Sequence, residues 1–251
     1  MTTATLDRLP AISLDDLIAQ APALTRIDRK YLVPESLVAR LLGDLDSSAR
    51  ILEIDGEREF AYRSLYFDTP TLISFRGAGQ RRRRRFKVRI RTYVASGESY
   101  LEVKTRGPRG ATVKEREPYA ATGHLDRWGR SYLEDRFENA GVTTPVSALE
   151  PVLLTAYRRA TLSLGADRAT IDTDLSWARP SGLALATSGL AVIETKAGST
   201  PTALDRLLWR QGHRPLRMSK YGTGLALLHP DLPHLKWHRT ITSHLANHLA
   251  A

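Results

Sequence analysis

The chain has 251 residues, enough for one sizeable domain or two small ones, with a composition ordinary for a soluble globular protein. Lys and Arg outnumber Asp and Glu by 37 to 27, which favours a polyanionic partner: nucleic acid, an anionic membrane or a polyphosphorylated substrate. Cysteine is absent, which excludes disulfides, thiolate metal sites and a cysteine nucleophile. The start of the chain lacks a signal-peptide pattern, and no apolar run approaches the roughly 20 residues that span a bilayer. We therefore expect a cytoplasmic protein without a transmembrane segment.

Strands dominate the predicted elements. After a tail at 1–24, in which Ser13 caps one short helix, strand patterns follow at 25–33, 57–68, 84–94, 98–106, 111–119, 151–162, 167–177 and 190–198. Helices are predicted at 34–45, 124–140, 201–212, 219–228 and 234–249. The short connections favour antiparallel pairing, and no change in composition indicates a second domain.

Six of these strands carry a cationic face, several with an embedded carboxylate. In the strand at 84–94, for example, Lys87, Arg89 and Arg91 alternate with apolar residues and therefore share one face. For a single strand, such a face more often points to solvent. Its repetition favours a second interpretation, in which about eight strands enclose a small ligand. A lumen lined with unpaired cations would be very costly unless a polyanion or ordered water filled it.

Nine short motifs together resemble the catalytic domain of the vacuolar transporter chaperone (VTC) polyphosphate polymerases, of the CYTH or triphosphate tunnel metalloenzyme superfamily. They extend from about Arg26 to Leu228, in the order RKYLV, SLYFDT, KVRIRTY, YLEVKT, VKERE, AYRRATL, RATIDTDL, VIETK and SKYGTG. No single motif is specific, and the evidence is their ordered set. The resemblance implies an α+β fold: an eight-stranded antiparallel β tunnel, closed as a barrel, with a polar cationic lumen and helices packed outside. This domain would span 25–230, followed by a C-terminal helix at 231–251.

The resemblance also implies the roles of individual side chains. The cations that would grip phosphate and serve catalysis are Lys30, Arg89, Arg91, Lys104, Arg159 and Arg168. Further substrate contacts would come from Lys114, Tyr157, Ser219 and Lys220. Glu194 would hold Mn²⁺ or Mg²⁺, hard cations that take oxygen ligands.

One departure from the superfamily concerns the first motif. Hydrolytic members begin with E-x-E-x-K, and the matching positions here are Arg26, Asp28 and Lys30. This disfavours a simple tripolyphosphatase and leaves Asp28 open as a metal ligand.

The resemblance thus indicates a metal-dependent enzyme that transfers the γ-phosphate of ATP onto polyphosphate and releases ADP. Two alternatives stay open: a tri- or polyphosphatase of the same fold, and a non-catalytic polyphosphate-binding module. ATP and polyphosphate are the expected ligands, nucleic acid is not, and a separate membrane protein is a candidate partner that would take up the product.

Other residues have less certain roles. The run Arg81 to Arg85 lies either at a tunnel mouth, where it would attract the polyanion, or in solvent. Asp172 and Asp174 are expected to pair with tunnel cations, and Glu102 either holds a metal or orients Lys104. The histidine pairs His234/His238 and His244/His248 are expected on a solvated helix face.

Overall fold

The computed structural model describes residues 6–20, 27–106, 112–120 and 123–250. Its strands are β1 (Ala11–Ile12), β2 (Ile27–Pro34), β3 (Arg50–Leu52), β4 (Phe60–Asp68), β5 (Phe86–Tyr93), β6 (Ser99–Arg106), β7 (Thr112–Pro118), β8 (Glu150–Leu164), β9 (Asp167–Ala178), β10 (Ala184–Thr187), β11 (Leu190–Ala197) and β12 (Leu249–Ala250). Its helices are α1 (Leu14–Gln20), α2 (Glu35–Gly43), α3 (Ile73–Gly79), α4 (Arg127–Asn139), α5 (Ala203–Arg210) and α6 (Lys220–Leu228). A 3₁₀ turn lies at Val146–Ala148, and shorter 3₁₀, α and π turns follow one another at Leu235–Trp237, His238–Thr240, Ile241–Leu245 and Ala246–His248.

Eight strands form one continuous antiparallel run in the order β2-β11-β9-β8-β4-β5-β6-β7. The strands β10 and β12 extend the sheet beside the C-terminal end of β9, while β3 pairs with the end of β8 and with β1. All eight predicted strands are therefore present, with the antiparallel pairing that the short connections indicated.

The two ends of this run do not pair in the described part of the chain. β2 pairs with β11 and β7 with β6, and no ladder joins β2 to β7. The expected closed barrel is therefore not confirmed. Part of the open edge is covered by the segment before α6, where the Leu216 N–H donates to the Lys30 carbonyl at 2.7 Å. The residues just before β2 and β7, including Arg26 of the first motif, lie outside the described residues.

The outer face of the sheet is apolar, and helices cover it. On β5 and β6, Val88 and Val103 pack with Leu133 and Phe137 of α4, which begins where the Asp126 carboxylate accepts a hydrogen bond from the Gly129 N–H at 2.7 Å. On the other side, a second cluster joins β2, β8, β9 and β11 to α2 and α5. These clusters confirm the alternation predicted from the sequence, with apolar residues outside and charged residues inside.

Helix α6 departs from the expectation that the helices pack outside. Its residues 221–226 are buried, and it packs against the inward-facing Leu32, Leu153 and Val192. Gly224 is required for this position, because a Cβ there would lie 2.1 Å from the Trp177 ring. The helix fills one end of the space inside the curved sheet and brings its N-terminus to the remaining cavity.

Helix α3 was not predicted, because its sequence ISFRGAG has no apolar periodicity. The buried Asp68 at the end of β4 stabilises its first turn by accepting hydrogen bonds from the Ser74 N–H at 2.8 Å and the Phe75 N–H at 3.0 Å. The same carboxylate accepts a hydrogen bond from Tyr221 of α6, so it fixes both helices relative to β4. None of the helices in the described residues has the length and apolar character needed to cross a bilayer.

Candidate functional site

The inner face of the sheet surrounds a cavity of about 910 Å³. Seven of the eight strands in the run, all except β9, contribute described residues to its wall, as do the segment 216–220 and Lys236. Among the described residues, three carboxylates and fourteen cations line it; the cations are Lys30, Arg81, Arg85, Lys87, Arg89, Arg91, Lys104, Arg106, Lys114, Arg159, Lys196, Arg217, Lys220 and Lys236. By formal charge, the difference is a surplus of eleven positive charges among these described residues.

The first carboxylate, Glu102 on β6, neutralises part of the β5 cations. One of its oxygens accepts from Arg89 at 2.5 and 2.7 Å, and the other lies 2.9 Å from Lys114 and 3.8 Å from Arg91. Burial would raise the pKa of Glu102, but Arg89, Arg91 and Lys114 lower it to about 2. Glu102 is thus ionised and orients these three cations. Lys104, the partner considered from the sequence, lies two residues away on the same face of β6 and forms no ion pair with Glu102 in the described structure.

A fourth carboxylate, Asp172 on β9, lies behind the wall and is fully buried. It accepts two hydrogen bonds from Arg159, at 2.6 and 2.9 Å, and a third from Lys220 at the start of α6. Burial would raise the pKa of Asp172, but the two cations hold it below its ordinary value. The predicted pairing is therefore confirmed for Asp172. It is wrong for Asp174, which is exposed where β9 bulges and forms no ion pair with a cavity cation in the described structure.

Glu194 on β11 is another carboxylate of the cavity wall. Its Oε1 lies 2.8 Å from the Lys30 Nζ and 2.6 Å from the Lys196 Nζ, and the Lys196 Nζ also lies 3.6 Å from Asp28. Burial would raise the pKa of Glu194, but Lys30 and Lys196 hold it well below its usual range.

Ser219 caps α6 at the edge of the cavity. Its Oγ accepts a hydrogen bond from the Gly222 N–H at 3.3 Å and another from the Lys87 Nζ at 3.2 Å. A helix N-terminus attracts anions through its free N–H groups and its dipole, so α6 adds a favourable anion position to the cationic wall.

Several cavity cations lie in an environment that opposes their charge. Burial, with Lys104 and Arg89 nearby, holds the pKa of Lys87 well below its usual range. Burial lowers the pKa of Lys114 to about 8, and burial with Arg85 and Arg81 lowers that of Lys236 to about 8. A bound polyanion would relieve this repulsion, which indicates a cavity suited to an anionic ligand.

Tyr157 on β8 lies among these cations. Its ring is contacted by Lys220 at 4.4 Å and Arg159 at 5.1 Å, and its buried hydroxyl has no hydrogen-bond partner among the described residues. Burial would raise the pKa of Tyr157, but Arg159, Arg91 and Lys220 outweigh it and lower the pKa. The hydroxyl is therefore placed to bind a ligand oxygen.

The structure brings ten of the eleven predicted site residues to this one cavity. These are Lys30, Arg89, Arg91, Lys104, Lys114, Tyr157, Arg159, Glu194, Ser219 and Lys220. Arg168 is not among the lining residues; its guanidinium donates to the Leu17 carbonyl of α1 at 2.5 Å. Of the predicted arginine run, Arg81 and Arg85 line the cavity.

The predicted site residues do not include every lining cation. Strand alternation places Lys87 on the cationic face with Arg89 and Arg91, and Lys196 on the face of Glu194, but the resemblance assigns no role to either lysine. Arg217 and Lys236 come from segments without regular alternation, and no signal in the sequence distinguished them.

The metal expected at Glu194 can be tested against the donors present. In the described part of the chain, no three His, Cys, Asp or Glu side chains group together, so these side chains alone do not complete the coordination of a metal ion. Glu194 and Asp28 nevertheless flank one ammonium, which shows that the position attracts a cation. Because Mg²⁺ is usually bound by one or two carboxylates plus substrate phosphates, these residues fit a divalent ion that binds together with its anionic substrate.

Comparison with known proteins gives two findings. A family model described as the VTC domain matches residues 25–229. Among curated protein sequences, none matches the chain.

Two solved structures with a similar fold have TM-scores of 0.50 or above. One, from Hippeastrum, is described as a candidate adenylyl cyclase with a dominant triphosphatase activity; it has a TM-score of 0.53 and 16% identity, covering 84% of this chain and 99% of that one. Another, from Bacillus halodurans, is described as a candidate adenylate cyclase; it has a TM-score of 0.50 and 14% identity, covering 78% and 96% of the two chains. At these identities the likeness shows the fold alone.

Proposed function

Because the chain belongs to the VTC-domain family, we propose that it is a metal-dependent polyphosphate polymerase. It would transfer the γ-phosphate of ATP onto a growing polyphosphate chain and release ADP. The observation that carries the proposal is the formal surplus of eleven positive charges among the described lining residues, more than a single triphosphate group would neutralise. The phosphates of a donor and an acceptor bound together in the cavity would neutralise more of this charge.

The strand cations would position the reacting phosphates. Phosphoryl transfer depends mainly on in-line positioning and on neutralising the charge that is spread over the transferred group. Arg89, Arg91 and Arg159 offer planar forks of donors, and ion pairs with Glu102 and Asp172 already hold them in place. The remaining members of the proposed site are Lys30, Lys104, Lys114, Tyr157, Ser219 and Lys220, and Arg168 stays a prediction at a position outside the cavity wall.

Glu194, with Asp28 beside it, would hold Mn²⁺ or Mg²⁺. When bound, such an ion neutralises phosphate oxygens and orients the leaving group. Lys30 keeps Glu194 ionised and therefore able to act as a ligand.

Two of the lining carboxylates are not suited to be the general base of a hydrolase. A base that removes a proton from water is effective when its pKa lies near the working pH. Glu102, with a pKa of about 2, and Glu194, with a pKa well below its usual range, are both poor bases. An acceptor phosphate is already anionic and needs no base.

A triphosphatase is the second candidate, since one solved structure with this fold is described by that activity. A binding module without turnover is the third. The deciding experiment incubates the protein with ATP and Mn²⁺, with and without a short polyphosphate primer, and separates the products on a gel. A growing ladder of polyphosphate would support the polymerase. Free phosphate without a ladder would support the triphosphatase. Tight, salt-sensitive binding of polyphosphate without turnover would support the binding module.

Lys104→Ala is the variant that connects this activity to the cavity. Lys104 lines the cavity and forms no ion pair among the described residues, so its loss leaves no buried partner unpaired. We expect a loss on the order of 10²–10³ in rate, as for the removal of one oxyanion donor, with little change in melting temperature. Arg63→Ala removes the same charge from an exposed position on β4 and is the control. Equal activity of the two variants would contradict the site.

A further inference from the structure

Lys196 lies between two carboxylates. It faces Asp28 directly across the β2–β11 ladder and lies two residues from Glu194 on the same strand face. Its Nζ is 2.6 Å from the Glu194 Oε1 and 3.6 Å from the Asp28 Oδ1. Within the described residues, this is the one position in the cavity wall where two carboxylates lie within 4 Å of the same ammonium, since Glu102 and Asp172 each form ion pairs with cations that have no second carboxylate at that distance.

Two ammonium groups contact Glu194. Those of Lys30 and Lys196 both make their closest contact with its Oε1, at 2.8 and 2.6 Å. A further cation could bind the same carboxylate while Lys30 stays in place. It could not take the position between Glu194 and Asp28, however, while Lys196 remains there.

We propose that Lys196 is a tethered cation that occupies the divalent-metal position between Asp28 and Glu194 and leaves it when the metal binds. The inference rests on the proposed metal dependence, with Asp28 as the second carboxylate ligand. A lysine suits this role because its charge is compact and its stem is flexible. At a separation of about 4 Å, an ammonium and a divalent ion repel each other strongly, so the two do not share the position.

The exchange couples the metal to the anionic substrate. Without a polyanion, the displaced ammonium would join a wall that already has a large cationic surplus, and the divalent ion would compete poorly for the two carboxylates. With phosphates present, Lys196 gains a new partner and the metal gains oxygen ligands. Metal and polyphosphate therefore favour each other's binding, and by linkage the effect is equal in both directions.

The test measures Mn²⁺ binding by electron paramagnetic resonance, without nucleotide or phosphate. Lys196→Met should bind Mn²⁺ about tenfold tighter or more, because the metal no longer displaces an ammonium that two carboxylates attract, and each such attraction at about 4 Å amounts to about fivefold even in water. Lys104→Met removes the same charge from the same cavity without opening the space between the carboxylates, and a smaller gain is expected. The double variant Lys196→Met/Asp28→Asn should lose the gain.

Two outcomes would overturn the proposal. Equal Mn²⁺ affinity of Lys196→Met and Lys104→Met would show that Lys196 does not occupy the metal position. A gain that survives Asp28→Asn would remove Asp28 from the site. Lys196→Gln serves as the second variant if Lys196→Met does not fold, as judged by circular dichroism. Because no ATP is present, these results are independent of whether the enzyme is a polymerase or a hydrolase.

Discussion

Among the described residues, Glu102 is the one carboxylate that pairs with Arg89, Arg91 and Lys114, and Glu102→Gln removes its negative charge. The Glu102 side chain is 3% exposed, and its surroundings lower its pKa from 4.5 to about 2. Each pKa unit corresponds to ~1.4 kcal/mol, so the ionised carboxylate stabilises the folded state by about 3 kcal/mol at neutral pH. The variant should lose about this much free energy of unfolding, which agrees with the ~3–5 kcal/mol seen when one partner of a buried pair is removed.

The loss of unfolding free energy caused by Glu102→Gln should be smaller at low pH. A carboxylate with a lowered pKa in the folded state stabilises that state fully above its unfolded pKa, near 4.5 here. The contribution is lost as the pH falls toward about 2, and roughly 1.4 kcal/mol of it remains at pH 3. The gap between the parent protein and the variant should therefore narrow by about half between pH 7 and pH 3.

Urea denaturation at pH 7 and pH 3 measures the free energy of unfolding of the parent protein and the variant, and so both the loss at pH 7 and its decrease at pH 3. The control is Glu115→Gln, since Glu115 on β7 pairs with Arg136 of α4 at 3.0 Å but is 39% exposed, and surface pairs contribute ~0–1 kcal/mol. If Glu102→Gln costs no more than this control, or if the gap stays constant between pH 7 and pH 3, the reasoning is wrong. Saturating tripolyphosphate should stabilise Glu102→Gln more than the parent protein, because the ligand replaces the missing negative charge.

Three further results are expected. The affinity for tripolyphosphate should fall as the pH rises through about 8, because the anion favours the charged forms of Lys114 and Lys236. Calorimetry in buffers of different ionisation enthalpy should show that binding takes up protons near that pH. The affinity should also fall steeply with ionic strength, which a salt titration measures, whereas a salt-independent affinity would contradict electrostatic recognition. Gly224→Ala should destabilise the fold by ~1–3 kcal/mol, because the new Cβ would lie 2.1 Å from Trp177. Gly198→Ala is the control, since a Cβ at Gly198 would meet no other side chain or backbone atom within 4 Å. Thermal melting compares the two variants.

The cavity wall could be predicted because strand alternation is a local property. Lys87, Arg89 and Arg91 occupy one face in any strand that includes them, and the apolar residues between them require cover on the other face. The same rule fails where alternation is interrupted. The bulge in β9 moves Asp174 off the inner face, and the sequence around it contains no signal that fixes the position of a bulge.

Long-range features of the site could not be predicted from local pattern. The apolar sequence of α6 suits a helix on either face of the sheet, and only the packing of Gly224 against Trp177 shows that it lies inside. Arg168 has the alternation of a wall residue, but its contact with the Leu17 carbonyl depends on where α1 lies. Whether the sheet closes depends on how β2 meets β7, a relation between strands far apart in the chain.

The pairing of β2 with β11 also has a consequence during synthesis on the ribosome. Its partners are 156 residues apart at Pro34 and Leu190, and 170 apart at Ile27 and Ala197. At about 5–20 residues per second, β2 leaves the ribosome roughly 10–30 s before its partner strand, and α6 follows later still. An unpaired apolar strand is an aggregation hazard over such an interval, and charged side chains are a common protection. Asp28 and Lys30 would thus keep the nascent strand soluble before they form the wall of a cavity.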